Sequence, residues 1–153
     1  MGRVTGIEIR RADAADIPAV VDMLADDELG ATRESPGDLA PYQAAFARLE
    51  EDPGQLLMVA VRDGVVVGTL QLTIIAGLSR RGATRAVIEG VRVHRAARRA
   101  GIGEQLVNWA VAESRRRGCQ LVQLTSDRSR RQAHRFYERL GFTASHTGFK
   151  LQL

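Results

Sequence analysis

The sequence contains very little cysteine, lysine or aromatic residue, and it has no long apolar run. Cys119 is the only cysteine, so the chain cannot form an internal disulfide or a cysteine-based metal cluster. Its position beside Leu121 in an apolar run favours a small buried thiol over a nucleophile. No apolar run approaches the roughly 20 residues that cross a bilayer, and the N-terminus lacks the apolar core of a signal peptide. We therefore expect a cytoplasmic protein that has no membrane partner.

The remaining composition is typical of a globular protein. The 153 residues are 44% hydrophobic and 26% charged, which argues against disorder. A chain of this length can bury a core without disulfides or metals. Because there is no internal repeat, low-complexity tract or linker, we expect a single domain over residues 1–153.

The net charge of +4 is unevenly distributed along the chain. Residues 1–60 carry twelve acidic and five basic side chains, a net charge of −7, whereas residues 61–153 carry six acidic and seventeen basic ones, a net charge of +11. A basic half of this kind suits either nucleic acid or an anionic cofactor. Since no recognition motif or interleaved aromatic residues accompany the arginines, nucleic acid is the less favoured partner.

Hydrophobic periodicity and turn residues predict an α/β or α+β domain. Apolar or alternating runs predict strands at residues 7–11, 55–62, 65–75, 86–93 and 120–125, with short final strands at 143–145 and 149–153. Asp63-Gly64 is a typical two-residue hairpin turn. Asp13 is the predicted N-cap of a first helix that continues to Leu24. Further helices are predicted at 41–49, 102–117 and 133–140, and loops at 25–40 and 76–83.

The most informative stretch is Arg98-Arg99-Ala100-Gly101-Ile102-Gly103, which joins an apolar strand to the long helix. Its glycines leave no Cβ between the backbone and a ligand, so N–H groups at the start of the helix can face an anion. It is not a dinucleotide fingerprint, because Leu106 stands where the third glycine belongs. It is not a P-loop either, because Lys150 is the only lysine.

This stretch resembles the Arg/Gln-x-x-Gly-x-Gly/Ala signature of the GNAT acetyltransferases. The preceding run, Ile88-Glu89-Gly90-Val91-Arg92-Val93, is similar to that family's fourth strand. Residues 133–142 (Ala-His-Arg-Phe-Tyr-Glu-Arg-Leu-Gly-Phe) resemble its second signature, Ala-x-x-x-Tyr-x-x-x-Gly-Phe. The resemblance implies a mixed, mainly antiparallel sheet, flanked by helices and splayed open between its fourth and fifth strands.

The resemblance also implies acetyl-CoA as cosubstrate, with its pyrophosphate on the backbone of residues 98–103. The pantetheine arm would pair with the fourth strand as an added strand does. Arg130 departs from the family pattern, since many members carry an asparagine there, seven residues before the tyrosine. The predicted cofactor-binding residues are Val91, Arg92, Val93, Arg98, Arg99, Ala100, Gly101, Ile102, Gly103, Ala133, Phe136 and Tyr137.

The reaction implied by the resemblance is attack of a primary amine on a thioester carbon in a ternary complex. An alkylamine has a pKa of ~10.4, so only about one molecule in 10³ is neutral at pH 7 and a base is needed. Glu89 is the predicted base, because family members often hold a carboxylate there that acts through water; the alternative is a solvent-facing strand glutamate. Tyr137 is the predicted acid, as a hydrogen-bond donor to the leaving sulfur; the alternative is a core tyrosine.

The sequence gives two opposing indications about the acceptor amine. Acidic residues in the 25–40 loop would attract a cationic amine. The C-terminal part instead resembles aminoalkylphosphonate N-acetyltransferases, which indicates an amine bearing an anionic group, held by Arg80, Arg81 or His146.

A strictly alternating strand would place Glu89 on one face with Val87, Val91 and Val93, unless a bulge changes its side.

Three other possibilities remain open at this point. The chain could acetylate a protein or peptide amine, or it could be a non-catalytic acyl-CoA-binding regulatory module that keeps the fold. Family analogy makes a homodimer possible. We expect no metal site, because His134 and Glu138, one helical turn apart, supply only two ligands.

Overall fold

The computed structural model describes residues 6–153, which form two compact units. The first unit extends to Gln123 and contains the sheet, whereas the second spans Leu124–Leu153 and contains one helix. The expectation of a single domain stays a prediction.

A five-stranded sheet forms the centre of the first unit. Its strands lie side by side in chain order and are β1 (Ile7–Arg11), β2 (Gln55–Arg62), β3 (Val65–Ile75), β4 (Arg85–Val93) and β5 (Leu121–Gln123). The first four strands pair antiparallel, and β4 and β5 pair in parallel. The sheet is therefore mixed and mainly antiparallel, as the sequence predicts. Asp63 (φ 52°) and Gly64 (φ 77°) form the β2–β3 turn with the two positive φ values that a type I′ turn needs.

The ladder between β4 and β5 is short. It runs only from Arg85 opposite Leu121 to Val87 opposite Gln123, where β5 ends. β4 continues to Val93 with β3 on its other side. Beyond Val87, β4 thus has no partner strand on the β5 side in the described sheet, as the predicted splay requires.

Six helical segments accompany the sheet. They are α1 (Ile17–Ala25), α2 (Glu28–Arg33), α3 (Ala40–Glu51), α4 (Ser79–Gly82), α5 (Ile102–Arg116) and α6 (Arg131–Arg139). The predicted 25–40 loop therefore contains a short helix. α4 is a single turn in which Arg80 (φ 54°) and Arg81 (φ 62°) both have left-handed backbone angles.

The core lies on both faces of the sheet. On one face, Ile17 and Val21 of α1 and Phe46 of α3 form a buried cluster that packs with Leu57 of β2. On the other face, α5 approaches β3 so closely that a Cβ on Gly68 would lie 3.0 Å from the side chains of Ile102 and Leu106. Glycine at position 68 thus allows α5 to lie against the sheet.

An ion pair and a capping box fix the start of α1. Asp13 caps the 3-10 turn Ala14–Asp16 that leads into the helix, as predicted, by accepting the Ala15 N–H at 2.9 Å. Asp16 is 7% exposed and accepts both Arg10 Nη1 at 2.7 Å and the Asp13 N–H at 2.8 Å. The Arg10 hydrogen bonds hold the pKa of this carboxyl below its ordinary value.

A second carboxylate supports the C-terminal end of α5. Glu113 accepts hydrogen bonds from Arg116 Nη2 at 2.6 Å and from Arg117 Nε at 2.9 Å. These bonds lower the pKa of Glu113 to about 2. Because the folded-state pKa is lower than the ordinary value of 4.5, ionised Glu113 stabilises the fold above that value, and the contribution is lost as the pH falls towards 2.

Replacing this carboxylate gives a pH-dependent stability change. The side chain of Arg116 is 67% exposed, so solvent screens the pair, and we expect Glu113→Gln to lower the free energy of unfolding by only about 1 kcal/mol at pH 7. Urea unfolding of wild type and variant should give curves that converge between pH 4.5 and 2. A difference that is independent of pH would contradict this account.

The C-terminal end of the chain departs from the prediction. Residues 143–145 and 149–153 form no strand, so both strand predictions are wrong. The alternation of Phe149, Leu151 and Leu153 is typical of a strand, but all three side chains are exposed and no ladder of the described chain includes them. A strand needs a partner as well as a pattern. β5 is likewise shorter than predicted.

Candidate functional site

The loop before α5 has the backbone of an anion-binding site. Gly101 is the N-cap in a left-handed conformation (φ 76°), and no side chain caps the first turn of the helix. The N–H groups of that turn have no partner inside the helix and carry the positive end of its dipole. Arg99 also has a left-handed φ of 68°, an uncommon angle for a residue with a side chain. This arrangement fits the pyrophosphate that the sequence assigns to residues 98–103.

The strand that leads into this loop has, in the described sheet, an edge with no neighbouring strand. Val91, Arg92 and Val93 lie on β4 beyond its last pair with β5. In the sheet formed by residues 6–153, their N–H and C=O groups on that side face no neighbouring strand. The Val91 carbonyl accepts a hydrogen bond from Arg92 Nη1 at 2.9 Å and the Val93 carbonyl accepts one from Arg98 Nε at 3.4 Å, so an extended ligand that pairs with this edge as an added strand does would replace these bonds. All three side chains are half-buried.

A bulge determines which face of β4 each side chain occupies. Glu89 lies opposite Gln71, but Arg92 lies opposite Thr69, so β4 contains one residue more than β3 between these pairs. Gly90 has a φ of 61° in this bulge. Because opposed residues share a face, Arg92 lies on the face of Glu89, and Val93 lies on the opposite face. Strict alternation, which would group Glu89 with Val93, is wrong here.

The side chain of Arg92 connects β4 to the loop between α1 and α2. Its Nε lies 3.3 Å from Asp27 Oδ2, in a partly buried pair, and its Nη1 donates to the Val91 carbonyl at 2.9 Å. Asp27 also caps α2 by accepting the N–H of Gly30. Arg92 thus anchors the neighbouring loop with its guanidinium group, and the role of its backbone towards the cofactor stays a prediction.

Other acidic side chains of the 25–40 segment also have partners. Asp26 lies 3.7 Å from Arg95 Nη1 and 3.6 Å from Arg98 Nη2. Glu34 accepts the Tyr42 hydroxyl at 2.6 Å, and this bond raises the pKa of Tyr42. The arginine pairs of Asp26 and Asp27 offset two of the negative charges that the sequence offers as attractors of cationic amines.

The Asp26–Arg98 pair has a measurable consequence for anion binding. Asp26 places a negative charge beside the loop that we expect to hold a pyrophosphate, so Asp26→Asn should strengthen acetyl-CoA binding about two- to fivefold at low salt. The gain should disappear at about 0.5 M NaCl, where exposed charges are screened. Calorimetric titration at both salt concentrations, with Asp22→Asn as the control, measures the effect. Weaker binding by Asp26→Asn would contradict it.

Glu89 is exposed and lies on a polar part of its sheet face. On the same face, Gln71 Nε2 and Thr73 Oγ both donate to Gln55 Oε1, at 3.1 and 2.9 Å. The sequence analysis missed these three residues. The available signal was the presence of Gln71 and Thr73 at alternate positions of an otherwise apolar strand.

The second unit contains the other predicted cofactor residues. Ala133, Phe136 and Tyr137 lie on α6 and are half-buried. The ring of Tyr137 packs edge-to-face against Phe136 and Phe142, with centroids 5.1 and 5.8 Å away. The roles of these residues towards the cofactor stay predictions.

Other candidate side chains have structural contacts. The ring of His134 is hydrogen-bonded to the Asp127 carbonyl at 2.8 Å, and His146 to the Ser145 hydroxyl at 2.6 Å. Within residues 6–153, no group of three or more His, Cys, Asp or Glu side chains is arranged to hold a metal ion. Burial raises the pKa of the Cys119 thiol, which disfavours the reactive thiolate. No helix in the described chain is long and apolar enough to cross a membrane.

Comparison with known proteins gives concordant matches. The chain matches the acetyltransferase (GNAT) family model over residues 18–142. It is 36% identical to the aminoalkylphosphonate N-acetyltransferase of Salmonella typhimurium over 112 residues, which are 73% of this chain and 72% of that protein.

Solved structures of similar proteins share the fold. A transcriptional regulator from Bacillus halodurans C-125 is 46% identical, with a TM-score of 0.92 over 96% of this chain and 99% of that one. An acetyltransferase from Trypanosoma brucei is 29% identical, with a TM-score of 0.75 over 96% and 99% of the two chains. An aminoglycoside 6'-N-acetyltransferase from Acinetobacter haemolyticus, at 17% identity and a TM-score of 0.77 over 95% and 97%, shares the fold alone.

Proposed function

The chain belongs to the GNAT acetyltransferase family, whose acetyl donor is acetyl-CoA, and on that premise we propose that it acetylates the primary amine of a small molecule. The observation that carries this proposal is that β4 lacks a partner strand beyond Val87 over the stretch that runs from Glu89 to the loop leading to the Gly101 N-cap.

We propose a separate role in acetyl-CoA binding for each part of the donor site. Acetyl-CoA supplies an activated thioester. The uncapped N–H groups at the start of α5 bind its pyrophosphate, and the β4 edge from Val91 to Val93, which pairs with no strand on that side in the described sheet, orients its pantetheine arm. Much of this binding uses backbone groups, so the bulk of the residue at positions 101 and 103 matters more than any single nearby side chain.

The proposed transfer uses one carboxylate and one hydroxyl. The amine nitrogen forms a bond to the thioester carbon, the carbon–sulfur bond breaks, and its electron pair stays on sulfur. Glu89, directly or through a water molecule, takes the proton released from nitrogen. Tyr137 donates a hydrogen bond to the leaving sulfur. Full proton transfer from a phenol of pKa ~10 to a thiolate of pKa ~8.5 is uphill by about 2 kcal/mol, so hydrogen bonding is the proposed role.

The charge distribution favours an acceptor that carries an anionic group. Asp26 and Asp27 are paired with arginines and offer little attraction to a cation. Arg80 and Arg81 are exposed on the left-handed turn α4, where they can contact an anion. The relative from Salmonella typhimurium acts on aminoalkylphosphonates, which have this chemistry. We propose this substrate class.

A competition between amine classes tests the proposal. CoA-thiol release should be measured with 2-aminoethylphosphonate, putrescine, an aminoglycoside and a basic peptide as acceptors. We expect turnover with the aminophosphonate, with kcat/KM reduced about tenfold in Arg80→Ala/Arg81→Ala and unchanged in Arg33→Ala. Preference for putrescine would overturn the substrate class but keep the enzyme. Preference for the peptide would favour a protein N-acetyltransferase.

A regulatory module is the second candidate, because the 46% identical relative from Bacillus halodurans is described as a transcriptional regulator. Such a module would be stabilised by acetyl-CoA and would release no CoA with any amine.

A homodimer is also proposed, since Phe149, Leu151 and Leu153 present apolar side chains to solvent. Light scattering of wild type and Leu151→Asp measures the oligomeric state, and a monomeric wild type would overturn the dimer.

A further inference from the structure

The polar face beside Glu89 contains a hydrogen-bonded chain that the proposed reaction does not yet use. Gln71 lies directly opposite Glu89 in the β3–β4 ladder. Gln55 lies opposite Thr73 in the β2–β3 ladder, so all four side chains share one face of three neighbouring strands. Directly opposed residues have Cβ atoms about 4.5–5.5 Å apart, so the Gln71 amide and the Glu89 carboxylate can reach the same ligand atom.

The direction of the hydrogen bonds fixes the orientation of the Gln71 amide. Gln55 Oε1 accepts from both Gln71 Nε2 (3.1 Å) and Thr73 Oγ (2.9 Å). The nitrogen of Gln71 therefore points towards β2. Its oxygen, on the other arm of the planar amide, takes no part in this bond.

Two hydrogen-bond acceptors on directly opposed residues, Gln71 Oε1 and the Glu89 carboxylate, suit a primary amine. A neutral primary amine has two N–H donors and one lone pair. If one N–H donates to Gln71 Oε1 and the other to Glu89, the lone pair is left to attack, and the proton that must leave is already hydrogen-bonded to Glu89. A carboxylate alone would orient only one of the two N–H groups.

From this juxtaposition we infer that Gln71 is an acceptor-binding residue that holds the amine beside Glu89, and that Gln55 and Thr73 are positioning residues for its amide. The inference rests on the proposed function, since it requires an amine acceptor. It adds a specificity determinant: secondary amines, which have one N–H donor fewer, should be poorer substrates than primary amines of the same size.

Variants of the hydrogen-bonded side chains test the inference, with 2-aminoethylphosphonate and its N-methyl derivative as probes. Gln71→Leu should raise the KM for the primary amine about tenfold, because a hydrogen bond to the amine is lost. Its KM for acetyl-CoA and its kcat should stay within about threefold of wild type, and its preference for the primary over the N-methyl amine should disappear.

The positioning role is tested by rescue. Gln55→Leu should raise the KM for the amine about threefold to tenfold, whereas Gln55→Glu keeps an oxygen that accepts both hydrogen bonds and should retain the wild-type value. Gln43→Leu, on the exposed face of α3, serves as the control. Thermal unfolding of each variant, with and without acetyl-CoA, reports folding separately from catalysis.

The outcomes separate the inference from the proposed function. Wild-type KM and amine preference in Gln71→Leu would overturn the inference and leave the acetyltransferase in place. A rise in the KM for acetyl-CoA, or loss of stability equal in Gln55→Leu and Gln55→Glu, would show a structural role and also overturn it. A wild type that turns over no amine would remove the proposed function and the inference together.

Discussion

Glu89→Gln should reduce kcat by about 10²–10³-fold. A positioned general base contributes about 10²–10⁴-fold, and part of the proton transfer can pass to water when the carboxylate is replaced by an amide. Gln keeps the size and hydrogen-bonding capacity of the side chain. Binding of acetyl-CoA, which we assign to the β4 edge and the α5 loop, should change by less than about twofold.

Steady-state kinetics with saturating acetyl-CoA measures this effect, and calorimetry measures the binding. Glu51→Gln is the matched control, because it removes an exposed carboxylate at the end of α3, on an element to which we assign no part of the transfer. A Glu89→Gln variant with the kcat of wild type would mean that Glu89 is an ordinary solvent-facing strand residue. It would leave the assignment of the donor site intact.

Gly103→Leu should weaken acetyl-CoA binding by at least about 100-fold without unfolding the protein. Gly103 lies in the first turn of α5, where a ligand must approach the backbone N–H groups closely. A leucine side chain would occupy part of that space. Leucine has a higher helix propensity than glycine by about 0.5–1 kcal/mol, so the helix itself should not be weakened.

Two controls make this prediction specific. Gly103→Ala should bind acetyl-CoA within about threefold of wild type, because the signature that the loop resembles accepts alanine at this position. Arg98→Ala should weaken binding by less than about tenfold, since it removes one exposed charge and leaves the backbone unchanged. Equal binding by Gly103→Leu and wild type would place the pyrophosphate elsewhere.

Local chemistry explains why much of the fold could be predicted. Asp63-Gly64 specifies a hairpin turn through its backbone preferences alone, and β2 and β3 begin and end where the sequence indicates. Asp13 and Asp16 form a capping box three residues apart, so the start of α1 needs no tertiary information. The opening between β4 and β5 could be predicted only from the resemblance to a family.

Features that depend on register or on long-range pairing could not be predicted in this way. The bulge at Gly90 changes the faces of Arg92 and Val93, and it becomes visible only when β4 is aligned with β3. The pairing of Asp27 with Arg92 joins residues that are far apart in sequence. Phe149 to Leu153 show the converse, because an alternating pattern without a partner strand forms no strand.

The candidate site likewise contains some residues that local sequence indicates and others that depend on strand register. Glu89 and the 98–103 loop could be proposed from the sequence because each belongs to a continuous motif. Gln55 and Gln71 were missed, because they lie on two strands and meet only through the register of the β2–β3 ladder. Interactions among residues of neighbouring strands are therefore the part of the site that only the structure supplies.

The central claim is tested most directly by quantifying both products of one reaction. Acetyl-CoA and 2-aminoethylphosphonate are incubated with the protein, the CoA thiol is titrated, and the acetylated amine is measured by mass spectrometry. The account predicts equal amounts of the two products, no CoA release without an amine, and a strong reduction in Glu89→Gln. Stabilisation by acetyl-CoA without acetylation of this or any other amine would contradict the enzyme and favour a regulatory module.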